Sequence, residues 1–272
     1  MDIHAILIAF GLTLFAGLST GIGSALAFFT KRTNTKFLSI SLGFSGGVMI
    51  YVSFVEIFSK AKEALIPALG LKGGMWATVL GFFGGMLLIA LIDKLVPSFE
   101  NPHSMQQMED MDDMEKSKKD TSHSLMRMGM MSALAIAIHN FPEGLATFTA
   151  AIKDPSIGLP IAVAVAIHNI PEGIAVSVPI YYATGDRKKA FFYSFISGLS
   201  EPVGAIVGFA LLSRFFNDVT FGILFAMVAG IMVYISLDEL LPASEKYGEH
   251  HLSIYGLIAG MVVMAVSLLL FI

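Results

Sequence analysis

Residues 157–182 read IGLPIAVAVAIHNIPEGIAVSVPIYY. The stretch is apolar at both ends and polar near its centre, and Glu172 is its only Asp, Glu, Lys or Arg. A helix needs about 20 predominantly apolar residues to cross a bilayer. The stretch therefore predicts a transmembrane helix that carries a polar cluster inside the membrane.

The whole chain has the composition of a membrane protein. It has 272 residues, of which 55% are hydrophobic and 14% are charged, whereas about 25% of residues are charged in a soluble domain. Residues 1–272 are therefore predicted to form one all-α integral membrane domain. Eight stretches meet the length criterion: 4–29, 37–59, 73–96, 125–151, 157–182, 190–213, 219–243 and 252–272.

Orientation follows from the basic residues near the ends of the spans. Of the 17 Lys and Arg residues, twelve fall on one side of the predicted topology and five on the other. The richer side is predicted to be cytoplasmic, so both termini of this multi-pass cell-membrane protein face outward. The polar segment 98–124 is then a cytoplasmic loop, either simply solvated or a weak metal-handling segment, because it holds Met, Asp, Glu and His.

The chain also repeats itself. The segment from Gly17 to Gly23 in span one resembles Gly198 to Gly204 in span six, and spans two and three resemble spans seven and eight in the same order. Matching spans are five crossings apart, so the copies have opposite orientations in the membrane. This predicts an inverted repeat of helices 1–3 and 6–8 around a central antiparallel pair, helices 4 and 5, an arrangement typical of transporters.

The central pair carries two copies of one motif, His139-Asn140-Phe-Pro-Glu143-Gly and His168-Asn169-Ile-Pro-Glu172-Gly. A helix turns once in about 3.6 residues, so the His and Glu of each motif share a face. The proline of each motif leaves a carbonyl without its helical donor, and in lipid that oxygen needs another partner. Imidazole and carboxylate on facing helices predict a divalent-metal site, with zinc and iron(II) favoured by imidazole and manganese by carboxylate and amide oxygen.

Further acidic residues lie within the predicted spans. Glu201 precedes Pro202 in span six and is predicted to be a ligand, whereas Glu56, Asp238 and Glu239 lie in spans two and seven and are predicted to line the ion pathway. No Lys or Arg lies near mid-span to neutralise these carboxylates. A charge inside the membrane costs at least about 2.5 kcal/mol and usually faces an internal cavity. The carboxylates must therefore bind protons or a cation.

These residues resemble the ZIP family of metal-ion transporters over nearly the whole chain. The resemblance implies a binuclear site, with a first ion on His139, Glu143, His168 and Glu172. It places a second ion on Asn140, Asn169 and Glu201, with Glu143 and Glu172 bridging the two ions. Some relatives have an acidic residue where this chain has Asn169, which lowers the charge of the second site here. The resemblance also implies inward transport of zinc, iron(II), manganese and cobalt, with cadmium as a further ion that binds.

The partners expected from the sequence are therefore divalent metal ions and membrane lipid. Dispersed charge gives no reason to expect nucleic acid, and we expect neither an enzyme nor a bound cofactor. Two other functions remain open on the residues alone: an intramembrane metallohydrolase, marked by metal-dependent peptide cleavage, and a proton-coupled carrier of an organic solute, marked by metal-independent flux. Small-residue spacings such as Gly81 and Gly85 pack helices either within a monomer or across a homodimer.

Overall fold

The computed structural model describes residues 3–27, 35–95, 118–212, 217–247 and 250–269, and over these ranges the chain is helical without β-strands. The helices are α1 (Ile3–Ala27), α2 (Thr35–Val52), α3 (Phe58–Leu95), α4 (Lys118–Lys153), α5 (Pro155–Thr184), α6 (Arg187–Gly198), α7 (Ser200–Leu212), α8 (Asp218–Ile235), α9 (Leu241–Tyr247) and α10 (His250–Leu269). Two π-helical turns, Ser53–Ile57 and Ser236–Leu240, connect α2 to α3 and α8 to α9. The all-α prediction is confirmed for the described residues.

Six helical stretches within the described ranges are long and apolar enough to cross a membrane. They are Ile3–Ala25, Ser39–Lys94, Pro155–Ile174, Arg187–Ala210, Asp218–Glu245 and His250–Leu269. Their number and composition agree with an integral membrane protein. Two predicted spans, 37–59 and 73–96, fall almost entirely within the single stretch Ser39–Lys94, and the predicted span 125–151 lies inside α4.

The stretch Ser39–Lys94 is 56 residues long, far more than the roughly 20 residues of one crossing. Its helix is broken at Gly70, where φ is +74° and ψ is 165°. Only glycine adopts this left-handed conformation at little cost. A Cβ placed on Gly74 would lie 2.6 Å from the backbone nitrogen of Ile66. Residues eight apart in a straight helix are about 12 Å apart, so the chain reverses direction at Gly70.

Short polar side chains begin the helices on either side of the central pair. Asp154 accepts a hydrogen bond from the Ser156 backbone N–H at 2.8 Å and so caps α5, which starts with Pro155. Asp186 caps α6 by accepting from the Lys188 N–H at 2.9 Å. A side-chain acceptor at this position satisfies an N–H group that the helix leaves unpaired. These caps limit the connections around α5 to a few residues, which makes α4, α5 and α6 close neighbours.

The helices form two sets that meet along the middle of the molecule. In the first set, α5 packs against α1, α4 and α6, and α4 packs against α7. In the second set, α3 packs against α8 and α2 packs against α10. The sets touch where α2 meets α5 and where α4 meets α8. The central pair α4 and α5 is thus covered by helices on several sides, which removes its polar residues from lipid and water.

Most of the predicted loop 98–124 lies outside the described residues. The part that is described belongs to α4, which begins at Lys118 rather than after residue 124. The helical backbone therefore extends through polar residues beyond the apolar segment. The hydropathy of the side chains set the predicted boundary, and a helix does not have to end where its apolar residues end.

Candidate metal centre

The two His-Asn-x-Pro-Glu-Gly motifs lie in α4 and α5, and their described polar side chains are fully buried. Asn140, Glu143, His168, Asn169 and Glu172 are each 0 or 1% exposed. Glu201, in the first turn of α7, is equally buried. Polar groups in such places must be satisfied by specific partners. The side chain of His139 lies outside the described residues, so its place in the site stays a prediction.

One contact joins the two motifs directly. The Nε2 atom of His168 in α5 lies 3.2 Å from the Oε2 atom of Glu143 in α4. In the tautomer with its proton on Nε2, His168 donates this hydrogen bond. Imidazole nitrogen and carboxylate oxygen are also the ligand types that zinc takes. The structure thus brings together one predicted ligand from each motif.

Asn169 connects three helices at one point. Its Nδ2 group donates a hydrogen bond to the Ala16 carbonyl oxygen of α1 at 3.0 Å and a second, short one to the Glu201 Oε1 atom of α7. The predicted ligands Asn169 and Glu201 are therefore in direct contact. The amide orients the Glu201 carboxylate, because a carboxylate that accepts a hydrogen bond has little freedom to rotate.

Glycines allow the backbones around the motifs to touch. A Cβ on Gly144 would overlap the backbone of Glu201 in α7, and a Cβ on Gly173 would overlap the Thr20 carbonyl of α1. Each motif is thus held against one neighbouring helix at the residue after its glutamate. Close backbone contact through glycine is a common way to pack membrane helices. Here it brings Glu201 next to the first motif and Thr20 next to the second.

Ser45 was not predicted to belong to the site. This fully buried residue of α2 has its Oγ atom 3.4 Å from the Glu172 Oε1 atom and 3.4 Å from the His168 carbonyl oxygen. It is a contact between the second set of helices and a predicted ligand. No motif surrounds Ser45 in the sequence, and only the packing of α2 on α5 reveals it.

Several buried polar atoms have no hydrogen-bond partner within the part of the chain that the structure describes. They include both amide atoms of Asn140, Glu143 Oε1, Asn169 Oδ1, Glu201 Oε2 and Thr20 Oγ1. A buried polar atom without a partner costs about 1–3 kcal/mol, and most of these atoms are oxygens with free lone pairs. A bound cation would satisfy the oxygens among them, and it would also balance the charge of the carboxylates.

The described side chains do not by themselves form a complete metal shell. Among them, no group of three or more His, Asp and Glu side chains lies close enough together to hold a metal ion. The predicted ligands instead meet in pairs, His168 with Glu143 and Asn169 with Glu201. His139, which belongs to the predicted first site, is outside this comparison.

The predicted pathway residues lie away from the motif helices, in the two π-helical turns. Glu56 is part of Ser53–Ile57, and Asp238 and Glu239 are part of Ser236–Leu240. Glu56 and Glu239 are half-buried, and Asp238 is exposed. A π-helical turn widens the helix locally and often occurs at functional positions. The matched location of these two turns was not predicted.

A family model described as ZIP Zinc transporter matches residues 96–268, well over half of the chain. This chain belongs to the ZIP family. The predicted resemblance is therefore confirmed. Because ZIP zinc transporters move ions rather than catalyse reactions, the prediction that the chain is not an enzyme is confirmed as well.

Curated relatives extend this similarity along the whole chain. A zinc transporter ZupT of Clostridium perfringens is 63% identical over 280 residues, covering 100% of this chain and 98% of the relative. The zinc transporter ZupT of Lysinibacillus sphaericus is 66% identical, covering 97% and 98%. The protein of that name from Streptococcus mutans serotype c is 65% identical, covering 97% of each chain. Together with the apolar helices, these similarities identify a multi-pass membrane protein of this family.

Proposed function

We propose that this chain transports zinc across the cell membrane into the cytoplasm through a site that the two motifs share. The contact between His168 and Glu143 is the observation that carries the proposal, because it joins a nitrogen and an oxygen ligand from different helices. Relatives covering almost the full length of the chain are named zinc transporters, which supports zinc as the ion.

The charge of the buried carboxylates supports a cation as the cargo. Glu143, Glu172 and Glu201 are almost completely buried, and the sequence has no Lys or Arg at residues 128–152 or 154–186. The motif helices therefore bring negative charge into the bilayer without basic residues of their own. Charge buried in this way is expensive unless it is paired. A divalent ion that passes through the site would pair with it transiently.

Two ions are proposed to bind near each other. The first would take His139, Glu143, His168 and Glu172, and the second would take Asn140, Asn169 and Glu201, with Glu143 and Glu172 shared. The first site, which contains imidazole, suits zinc and iron(II), and the second site, which has only oxygen ligands, suits manganese as well as zinc. Cobalt and cadmium are proposed as further ions that bind.

We further propose eight crossings that include an inverted repeat. The reversal at Gly70 supports two crossings within Ser39–Lys94, and α4, with 36 residues, is long enough for another. The repeat is supported by pairs of equivalent contacts, in which residues at corresponding positions of the two copies make the same kind of contact. Gly47 packs on the Leu257 backbone as Gly230 packs on the Phe82 backbone, and Gly23 packs on Ile170 as Gly204 packs on Phe141. The two π-helical turns also occupy matching positions.

Transport then follows from the arrangement. Zinc enters from outside, binds between the motifs, and leaves toward the cytoplasm as the repeats rock against each other. Glu56, Asp238 and Glu239 are proposed to receive the ion along the way, because carboxylates bind it weakly enough to release it again. Both termini are proposed to lie outside the cytoplasm, with the polar loop 98–124 inside.

Zinc uptake into proteoliposomes that contain the purified full-length chain tests the proposal. We expect saturable uptake, which falls at least about tenfold in Glu143→Gln. Glu63→Gln serves as the matched control, because the side chain of Glu63 is 65% exposed and pairs only with nearby Lys60 among the contacts described. Uptake by the native chain no faster than in protein-free liposomes would overturn the proposed function. Equal uptake by both variants would overturn the site.

A further inference from the structure

Thr20 of α1 occupies the position that corresponds to Glu201 in the sequence repeat. Gly17-Leu-Ser-Thr20 aligns with Gly198-Leu-Ser-Glu201, so a hydroxyl stands in one copy where a carboxylate stands in the other. Thr20 is fully buried, as is Glu201. The two residues therefore share a sequence position and a degree of burial but differ in charge.

Their surroundings correspond as well. A Cβ on Gly17 would lie 3.4 Å from the Glu201 Cβ atom, and a Cβ on Gly198 would lie 2.8 Å from the Thr20 Cβ atom and 2.9 Å from its Oγ1 atom. Each residue thus packs against the glycine that begins the other copy. The second motif meets the Thr20 backbone through Gly173, just as the first motif meets the Glu201 backbone through Gly144.

The hydroxyl of Thr20 has no hydrogen-bond partner among the described residues. A threonine within a helix usually donates to the carbonyl four residues earlier, as Thr13 does to the Ala9 oxygen at 2.9 Å. For Thr20 that carbonyl is Ala16, whose oxygen already accepts from Ser19 Oγ at 2.6 Å and from Asn169 Nδ2 at 3.0 Å. Thr20 Oγ1 therefore has lone pairs that can bind a metal ion.

An ion bound by this hydroxyl would lie beside Asn169 and Glu201. Asn169 touches the turn of α1 that leads to Thr20, and its same amide nitrogen touches Glu201. Asn169 Oδ1 and Glu201 Oε2 also have no hydrogen-bond partner within the described ranges. The helices α1, α5 and α7, which the Asn169 amide joins, thus each hold a buried oxygen without a hydrogen-bond partner among the described residues.

We propose that the Thr20 hydroxyl is an additional oxygen ligand of the second ion. This inference rests on the proposed function, because it needs an ion to pass through the site. A hydroxyl supplies a lone pair without adding charge, so the second site gains an oxygen without the further negative charge that a carboxylate at position 20 would bring. Replacing nitrogen by oxygen ligands shifts the relative preference of a site toward manganese. Thr20 therefore sets how well the second site accepts manganese.

Binding of zinc and of manganese to the purified full-length chain in lipid nanodiscs, measured by equilibrium dialysis with metal analysis, tests this role. Thr20→Val removes the hydroxyl and keeps the shape of the side chain. Thr20→Ser keeps the hydroxyl. Thr13→Val is the matched control, because Thr13 is equally buried in the same helix and its hydroxyl is bonded within that helix.

We expect Thr20→Val to weaken manganese binding about tenfold and to leave the tighter zinc site, which contains imidazole, unchanged. Thr20→Ser and Thr13→Val should bind both metals as the native chain does. A purely structural role would instead weaken both metals together and would overturn the inference. If Thr20→Val does not fold, Thr20→Ala replaces it in the same comparison.

The outcomes separate this inference from the proposed function. Native manganese affinity in Thr20→Val overturns the role of Thr20 and leaves zinc transport untouched. A native chain that binds a single ion of either metal overturns the second site and with it the role of Thr20. A native chain that binds neither metal overturns the proposed function itself.

Discussion

Replacing His168 with Gln tests whether the imidazole is a zinc ligand. His168 is fully buried, and its Nε2 atom lies 3.2 Å from Glu143 Oε2. The Gln amide can still donate a hydrogen bond to Glu143, so the packing between the motifs should survive at a cost of about 1 kcal/mol. The substitution removes a nitrogen ligand and offers an amide oxygen in its place.

The expected loss differs between metals. Loss even of a residue that only supports a metal ligand weakens metal binding about 10–100-fold, which corresponds to about 1.4–2.8 kcal/mol. We expect a loss in this range for zinc and a loss of at most about tenfold for manganese, because manganese accepts an oxygen ligand more readily. His168→Gln should therefore reduce the preference for zinc as well as the affinity.

Zinc and manganese uptake into vesicles, measured over a range of concentrations, gives the apparent Michaelis constant for each metal. His251→Gln is the matched control, because His251 is an exposed residue of α10, and its uptake should equal that of the native chain. Equal losses for both metals in His168→Gln would refute the assignment of His168 as a nitrogen ligand.

Three further predictions concern packing, the loop and protons. Gly173→Ala should lower the free energy of unfolding in detergent by about 1–3 kcal/mol, because the added Cβ would overlap the Thr20 backbone. Gly11→Ala should not, because a Cβ there meets nothing within 4 Å, and equal unfolding temperatures of the two variants would contradict the close packing. Deleting residues 103–117, which ends before α4 begins, should leave substantial uptake at saturating zinc, and complete loss in a folded protein would make the loop essential. Lowering the external pH should raise the apparent Michaelis constant for zinc more than it lowers the maximal rate, because protons compete for imidazole and carboxylate; an unchanged Michaelis constant would exclude this competition.

The sequence predicts which polar residues are buried between the helices better than it predicts the contacts between them. The burial of the motif residues and of Glu201 follows from their place in apolar spans that hold no Lys or Arg near their centres. Spacing within one helix places His168 and Glu172 on one face, and the structure adds a contact between His168 and Glu143 of the other helix. Pairing across helices depends on their relative register, which the glycine contacts fix and which periodicity along one helix does not specify.

Other features depend on backbone geometry that hydropathy does not encode. The π-helical turns and the break of the helix at Leu199, between α6 and α7, lie inside segments that hydropathy predicts as single continuous spans. Gly70 is one of 26 glycines in the sequence, and its left-handed conformation is not distinguished from the others by its neighbours. Ser45 is one of several serines in α2, and only the packing of α2 on α5 selects it as a neighbour of Glu172.

The central claim is that the two motifs form one shared metal site. Anomalous scattering from crystals of the full-length chain soaked in zinc or cadmium would test it most directly. We predict an anomalous peak between α4 and α5, within coordination distance of His168 and Glu143. Metal bound only at the polar loop or at the exposed histidines of α10, with none between the motifs, would contradict the account.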